Sequence, residues 1–246
     1  MRYLFVALQF LTIFPARIQR LNPIDLVRSM AFYPIVGALI AISLYGTFFL
    51  LDLFLPHLLS SLVILLVWSL LTGGLHLDGL ADTLDGFVGG QDKDSILAIM
   101  RDPAIGTMGT IGILLVLALK GAVLFLLSKE NVLPSLIFVL ATGRYLMIYG
   151  AFLSRYPRTD GIGKDYIGKI PLDTFLTAGF FILAITLMAL QWKGLILLLL
   201  SLFWTHLWVF YCHHRIEGMT GDTLGAVGEV SEAILLILLC LNFYKN

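Results

Sequence analysis

The stretch Gly73-Gly74-Leu75-His76-Leu77-Asp78-Gly79-Leu80-Ala81-Asp82-Thr83-Leu84-Asp85-Gly86 holds the densest chemistry in the chain. Asp78 and Asp82 are four residues apart, and Asp82 and Asp85 three, so in a helix all three carboxylates share one face. Carboxylates that close repel one another unless a cation lies among them. Hard oxygen donors suit Mg²⁺ or Mn²⁺, which take a few carboxylates and complete their shell with water and substrate phosphate. The spacers are Leu and Ala rather than the polar residues of a solvated linker. Gly73, Gly74, Gly79 and Gly86 permit close approach of a second backbone or a bulky ligand. His76, a single histidine at the edge of an apolar run, reads more readily as a structural hydrogen-bonder than as a catalyst.

Other residues could serve the same chemistry. Arg101, in Met100-Arg101-Asp102-Pro103, either grips a phosphate bidentately or pairs with Asp102. Gly106, Gly109 and Gly112 follow at a spacing that marks tight helix packing in lipid. Lys120 and Arg144 fall inside long apolar runs, where a cation is costly and usually faces a polar cavity. Contact with substrate phosphates is the favoured reading of at least one of them, and pairing with Glu232, also inside an apolar run, is the alternative. In Thr220-Gly221-Asp222-Thr223, Asp222 is expected to cap the last helix, with metal or substrate binding as the other reading. Glu229 and Glu232 follow about two and three turns later. The segment from Arg155 to Asp173 mixes three glycines with four cations and suits a substrate-binding or lid loop.

These residues must be positioned by a membrane protein. Of 246 residues 59% are apolar and only 13% charged, and the mean hydropathy is +0.94. A soluble domain carries about twice that share of charge. The zero net charge gives no support to nucleic-acid binding, and two cysteines, Cys212 and Cys240, suggest neither zinc nor a disulfide framework. Runs of about 20 apolar residues predict seven spans, at 32–54, 58–75, 106–128, 132–153, 174–191, 194–211 and 230–244. The run from Tyr3 to Phe14 is too short to cross and reads as an interfacial or re-entrant helix. The expectation is an all-α, polytopic bundle forming a single membrane domain over residues 1–246.

Seven spans place 1–31, 76–105, 154–173 and 212–229 on one face. That face holds eleven basic residues (Arg2, Arg17, Arg20, Arg28, Lys93, Arg101, Arg155, Arg158, Lys164, Lys169 and Arg215). The other holds three (Lys129, Lys193 and Lys245). The positive-inside bias puts the first face in the cytoplasm, and thirteen of the sixteen acidic residues join it. Chemistry gathered on one face favours an enzyme over a transporter, whose working groups lie near the midplane.

The chain resembles the cobalamin synthase family, the adenosylcobinamide-GDP ribazoletransferases. The resemblance rests on the 73–86 motif, on I-M-R-D-P-A-I-G-T-M-G at 99–109, on Lys120 and Arg144, on I-G-K-I at 167–170, and on T-G-D-T-L-G-A with Glu229 at 220–229. One departure is Ile13, where many relatives carry arginine. The resemblance implies a magnesium-dependent enzyme of the bacterial inner membrane. Its substrates would be adenosylcobinamide-GDP and α-ribazole or its 5′-phosphate, and its products GMP and a cobalamin or its phosphate. On that footing Asp78, Asp82 and Asp85 would hold Mg²⁺, Asp82 or Asp85 would accept the ribose hydroxyl proton, and Arg101, Lys120 and Arg144 would neutralise the GMP leaving group. The lipid bilayer is the expected surroundings, and self-association or association with other corrinoid-handling enzymes is compatible with such a protein. The CDP-alcohol phosphotransferase pattern, also aspartate-rich, is not met: Asp82-Thr83 follows Leu80-Ala81, and Ala98 stands where its last aspartate would be.

Overall fold

The computed structural model describes residues 2–15 and 22–243. Arg17, Arg20 and Lys245, which contribute to the charge asymmetry, lie outside the described residues. The architecture is all-helical: α1 (Arg2–Leu11), α2 (Pro23–Ser29), α3 (Tyr33–Leu51), α4 (His57–Leu71), α5 (Leu75–Gly89), α6 (Lys93–Ile99), α7 (Thr107–Leu126), α8 (Lys129–Leu153), α9 (Leu172–Ile216) and α10 (Gly221–Phe243). Five helical stretches are long and apolar enough to cross a bilayer, and a sixth is formed if the bent pair α4–α5 counts as one.

Straight, the 45 residues of α9 would reach about 68 Å, more than twice the hydrocarbon thickness. The helix is not straight. Gln191 breaks it with φ 54° and ψ −144°, and a Cβ on Gly194 would lie 2.8 Å from Cγ2 of Thr186. Both ends of α9 also meet the same end of α8. The Phe175 ring stacks on Phe152 with centroids 4.2 Å apart, and His213 Nε2 lies 2.8 Å from the Ser154 hydroxyl. The element is a helical hairpin, with arms 172–190 and 192–216, and brings the count of spans to about the expected seven.

The core is α8, which is buried on all sides by α3, α9 and α10. Small residues let backbones approach: a Cβ on Gly37 of α3 would lie 2.8 Å from Cα of Ala141. The outward faces of α7 and of the α9 hairpin carry exposed Leu, Ile and Phe, as a lipid-facing surface does. Two boundaries differ from expectation. The second span stops at Leu71 rather than 75, because Gly73 and Gly74 take φ of +63° and +67° and close a Schellman turn, Gly74 N–H donating to the Ser69 carbonyl at 2.9 Å. The last helix starts at Gly221, not near 230, since its polar first turns are packed against α5 and α8 instead of lying in water.

Candidate active site

The two left-handed glycines turn the chain by 85° between α4 and α5. α5 therefore runs across the N-terminal ends of α7 and α10 instead of continuing through the bundle. Its glycine and alanine positions make this crossing close. A Cβ on Gly79 would lie 2.9 Å from Cα of Asp222 in α10, and one on Gly225 3.2 Å from Cα of His76. A Cβ on Gly109 of α7 would meet the Ala81 side chain at 2.9 Å. Gly109 and Gly112 of α7 thus do mark tight packing, here against Ala81 and Leu84 of α5.

The three aspartates of α5 share a face, yet they have different partners. Asp85 turns to α7 and accepts from the N–H groups of Gly106 at 2.7 Å and Gly109 at 2.8 Å. One side chain thereby satisfies two of the orphan donors at the start of α7, where helix polarity also favours a negative charge. Asp78 is exposed and Asp82 half-buried. Asp222 arrives from α10, its backbone seated on Gly79 between them, and its carboxylate, then those of Asp78 and Asp85, bear electrostatically on Asp82. Among the described residues no group of three or more His, Cys, Asp or Glu side chains is arranged to hold a metal ion unaided. The expected trio of Asp78, Asp82 and Asp85 is not assembled as a metal cage, because both Asp85 oxygens are engaged with α7.

Asp222 is not the cap of α10. Thr220 is: its hydroxyl accepts from Thr223 N–H at 3.2 Å while the Thr223 hydroxyl accepts from Thr220 N–H at 2.9 Å. The Asp222 carboxylate is left to the Thr220 hydroxyl at 3.1 Å and Arg158 Nη1 at 3.5 Å.

Lys120 and Arg144 have protein partners. Lys120 Nζ donates to Glu229 and Glu232, each at 2.6 Å, and lies 4.3 Å from the centre of the Trp68 ring. Arg144 Nη1 donates to Glu232 at 2.8 Å. Lys120 is 2% exposed, Arg144 and Glu232 0%. Two cations and two carboxylates thus balance inside the bundle and tie α7 and α8 to α10. The pairing with Glu232 that stood as the alternative is what the structure contains, with Glu229 as a further member. His76 is buried, with neither ring nitrogen bonded to another described protein group.

Arg101 pairs with neither Asp102 nor the buried groups. Its partner is Asp160, in the connection between α8 and α9, and Asp102 instead accepts from Ala104 N–H at 2.9 Å in a local turn. The same connection is held to the helix ends: Arg155 Nε donates to the Glu217 carbonyl at 2.7 Å, Met219 N–H to the Arg155 carbonyl at 3.0 Å, and Gly168 N–H to the Ala151 carbonyl at 2.8 Å. Arg215 caps the far end of α5 through the carbonyls of Phe87 at 2.9 Å and Gly90 at 3.0 Å. Sequence reasoning did not single out Arg158 from the other loop cations. Its proximity to Asp222 is created only by the fold.

Comparison with known proteins is consistent across the chain. The cobalamin-5-phosphate synthase family model matches residues 3–240. The adenosylcobinamide-GDP ribazoletransferase of Geotalea daltonii is 34% identical over 240 residues, 97% of each chain. That of Acinetobacter baumannii (strain ACICU) is 35% identical over 248 residues, again 97% of each. That of Pseudomonas syringae pv. syringae is 37% identical over 245 residues, 96% of this chain and 98% of the relative. No solved structure matches the chain. The family match takes in α5, the buried ion network and the start of α10 alike, and the chain belongs to the cobalamin-5-phosphate synthase family.

Proposed function

We infer that this protein is an adenosylcobinamide-GDP ribazoletransferase whose reacting groups gather where α5 crosses the starts of α7 and α10. It joins the cobinamide phosphate of adenosylcobinamide-GDP to α-ribazole or its 5′-phosphate and releases GMP, the late step in assembling the nucleotide loop of cobalamin. Family membership and full-length kinship to ribazoletransferases support the reaction. The observation that carries the location is the seat of Asp222 on Gly79, which sets a third carboxylate beside Asp78 and Asp82.

Phosphoryl transfer needs positioning and neutralisation of charge more than covalent help from the protein. Asp78 and Asp222, with Asp82 between them, suit Mg²⁺ shared with substrate. That ion ordinarily takes one or two carboxylates and draws its remaining ligands from phosphate and water, so a complete protein cage is not required. When bound, Mg²⁺ neutralises phosphate charge at the reacting pyrophosphate. Asp82 is the general base of this reading. Burial first, and then the nearby carboxylates, make it a better proton acceptor, whereas Asp85 has both oxygens committed to backbone N–H groups. The ribazole hydroxyl gives its proton to Asp82, its oxygen bonds to the cobinamide-side phosphorus, and the bond to the GMP oxygen breaks with its electron pair on GMP. Asp85 acts as a positioning residue, and Lys120 and Arg144 hold α10 in register. The face bearing α5 is cytoplasmic, in a bacterial inner membrane, on the strength of the basic-residue asymmetry.

The test is GMP release by the purified protein in lipid, given adenosylcobinamide-GDP and α-ribazole 5′-phosphate, with Mg²⁺ or with EDTA. GMP matched one-for-one by cobalamin 5′-phosphate, abolished by EDTA and by Asp82→Asn, is the expected result. Wild-type turnover by Asp82→Asn sinks the assignment of the base, and full turnover in EDTA sinks the metal.

A further inference from the structure

Beside the carboxylates lies a polar cleft of about 350 Å³, open to the same face, between α6 and the start of the α8–α9 connection. Lys93 and Arg101 line one wall, Arg158 and Asp160 the other, with Asp94 and Leu97 completing it. Three cations converging on one concavity is a design for an anion. The cleft is also continuous with the reacting groups, because Arg158 lines it while its Nη1 lies 3.5 Å from Asp222.

Each of these cations currently faces a carboxylate of the protein. Lys93 Nζ donates to Glu217 at 2.7 Å, Arg101 pairs with Asp160, and Arg158 with Asp222. The Arg101 and Lys93 pairs are solvent-exposed, with Asp160 70% exposed and Glu217 59%, and exposed pairs of this kind contribute little. A phosphate competes well for such partners: it carries more charge than a carboxylate and can take an arginine fork bidentately. The Nε and Nη2 atoms of Arg158 have no bonded partner among the described residues, so its fork retains donor capacity beyond Asp222.

We propose that this cleft binds the phosphate of the departing guanylate, with Lys93, Arg101 and Arg158 as its donors and Asp160 as an internal competitor on Arg101. The inference rests on the ribazoletransferase reading for the identity of the nucleotide. In the reaction the cleft holds the leaving half of the pyrophosphate while Asp78, Asp82 and Asp222 face the half that is transferred.

The experiment is direct binding of GMP, with guanosine as control, to the full-length protein in lipid nanodiscs. Arg101→Ala and Lys93→Ala should each weaken GMP about tenfold, the loss of one charge-assisted contact, and leave guanosine unchanged. Asp160→Asn should bind GMP more tightly than the wild type, an effect that a merely structural role for the Arg101 pair would not produce. GMP affinity unchanged in the Arg101→Ala/Lys93→Ala double variant overturns the proposal, as does a parallel loss of guanosine. Because binding needs no turnover, the two readings fail separately. A protein that binds GMP through these residues but transfers no ribazole sinks only the reaction, and one that transfers ribazole with unaltered GMP affinity in the variants sinks only the cleft.

Discussion

Glu232→Gln distinguishes a structural from a catalytic role for the buried cations. Glu232 is fully buried and, among the described residues, is the one carboxylate that touches both, at 2.6 Å from Lys120 and 2.8 Å from Arg144. At an effective permittivity of about 20, each contact is worth roughly 6 kcal/mol gross. Much of that is recovered in the variant, since glutamine still accepts a hydrogen bond and Lys120 keeps Glu229 at 2.6 Å. What is lost is the charge balance. Two buried cations then face one carboxylate, and removing one partner of a buried ion pair costs about 3–5 kcal/mol. The assay is reversible unfolding in mixed micelles, by denaturing detergent, alongside turnover of the folded fraction. Turnover per folded molecule should stay within a few-fold of wild type. A companion measurement sharpens the point. Lys120→Met leaves Glu229 without its cation, whereas Lys120→Met/Glu229→Gln keeps the neutral Arg144–Glu232 pair, so the double variant should be more stable than the single. If Glu232→Gln unfolds like the wild type yet loses turnover a hundredfold, Lys120 and Arg144 serve the substrate and the structural account is wrong.

Three further outcomes follow from contacts elsewhere. Asp85→Ala should cost about 1–3 kcal/mol, because it strips two N–H groups at the start of α7 of their acceptor, and hydrogen exchange at Gly106 and Gly109 should rise more than at the middle of the helix. Gly79→Ala places a methyl 2.9 Å from the Asp222 backbone, so α5 and α10 must part; a loss of about 1–3 kcal/mol by overpacking should accompany a large fall in turnover, and wild-type behaviour would contradict the close crossing. On the opposite face, the Lys129 ammonium, and after it His57, holds the Asp52 carboxyl below the usual carboxylate range. A depressed folded value contributes stability above the unfolded value of about 3.9, lost as pH falls through the folded one. Asp52→Asn should therefore melt below wild type at pH 7, and the two should converge below about pH 4, as thermal unfolding across pH will show.

The elements were legible where one physical rule dominates. Apolar runs long enough to span locate α3, α7 and α8 to within a few residues, and the aspartate spacing marks α5 as a helix with one acidic face. What could not be read is which neighbour each side chain meets. Asp85 is indistinguishable from Asp82 by type and spacing until α7 brings Gly106 and Gly109 within hydrogen-bonding reach. Lys120 and Arg144 must have negative partners, and the sequence names a carboxylate in the right run, but substrate phosphate balances a cation equally well. Only the register of α10 against α7 and α8 decides between them. Asp222 and Thr220 compete for one cap, and a two-residue difference in where the helix starts gives it to the threonine.

The buried network and the acidic site are linked because both depend on α10. Its first turn presents Asp222 to α5, and Glu229 and Glu232, two and three turns later, fasten it to α7 and α8. A hydrophobic stripe would hold α10 in the bundle without specifying its rotation as sharply, since apolar side chains tolerate repacking. Ion pairs at 2.6–2.8 Å do not tolerate it: turning or sliding the helix by one residue separates charges that have no other ionic partner among the described residues. The seat of Asp222 on Gly79 is as narrow, with no room for even a methyl group. The costly charges inside the membrane thus do their work through geometry, by fixing the rotation that puts Asp222 beside Asp78 and Asp82. It follows that restoring charge balance with swapped residues, as in Lys120→Glu with Glu229→Lys, should recover stability more fully than turnover, because the swapped pair can neutralise the interior without reproducing the register of α10.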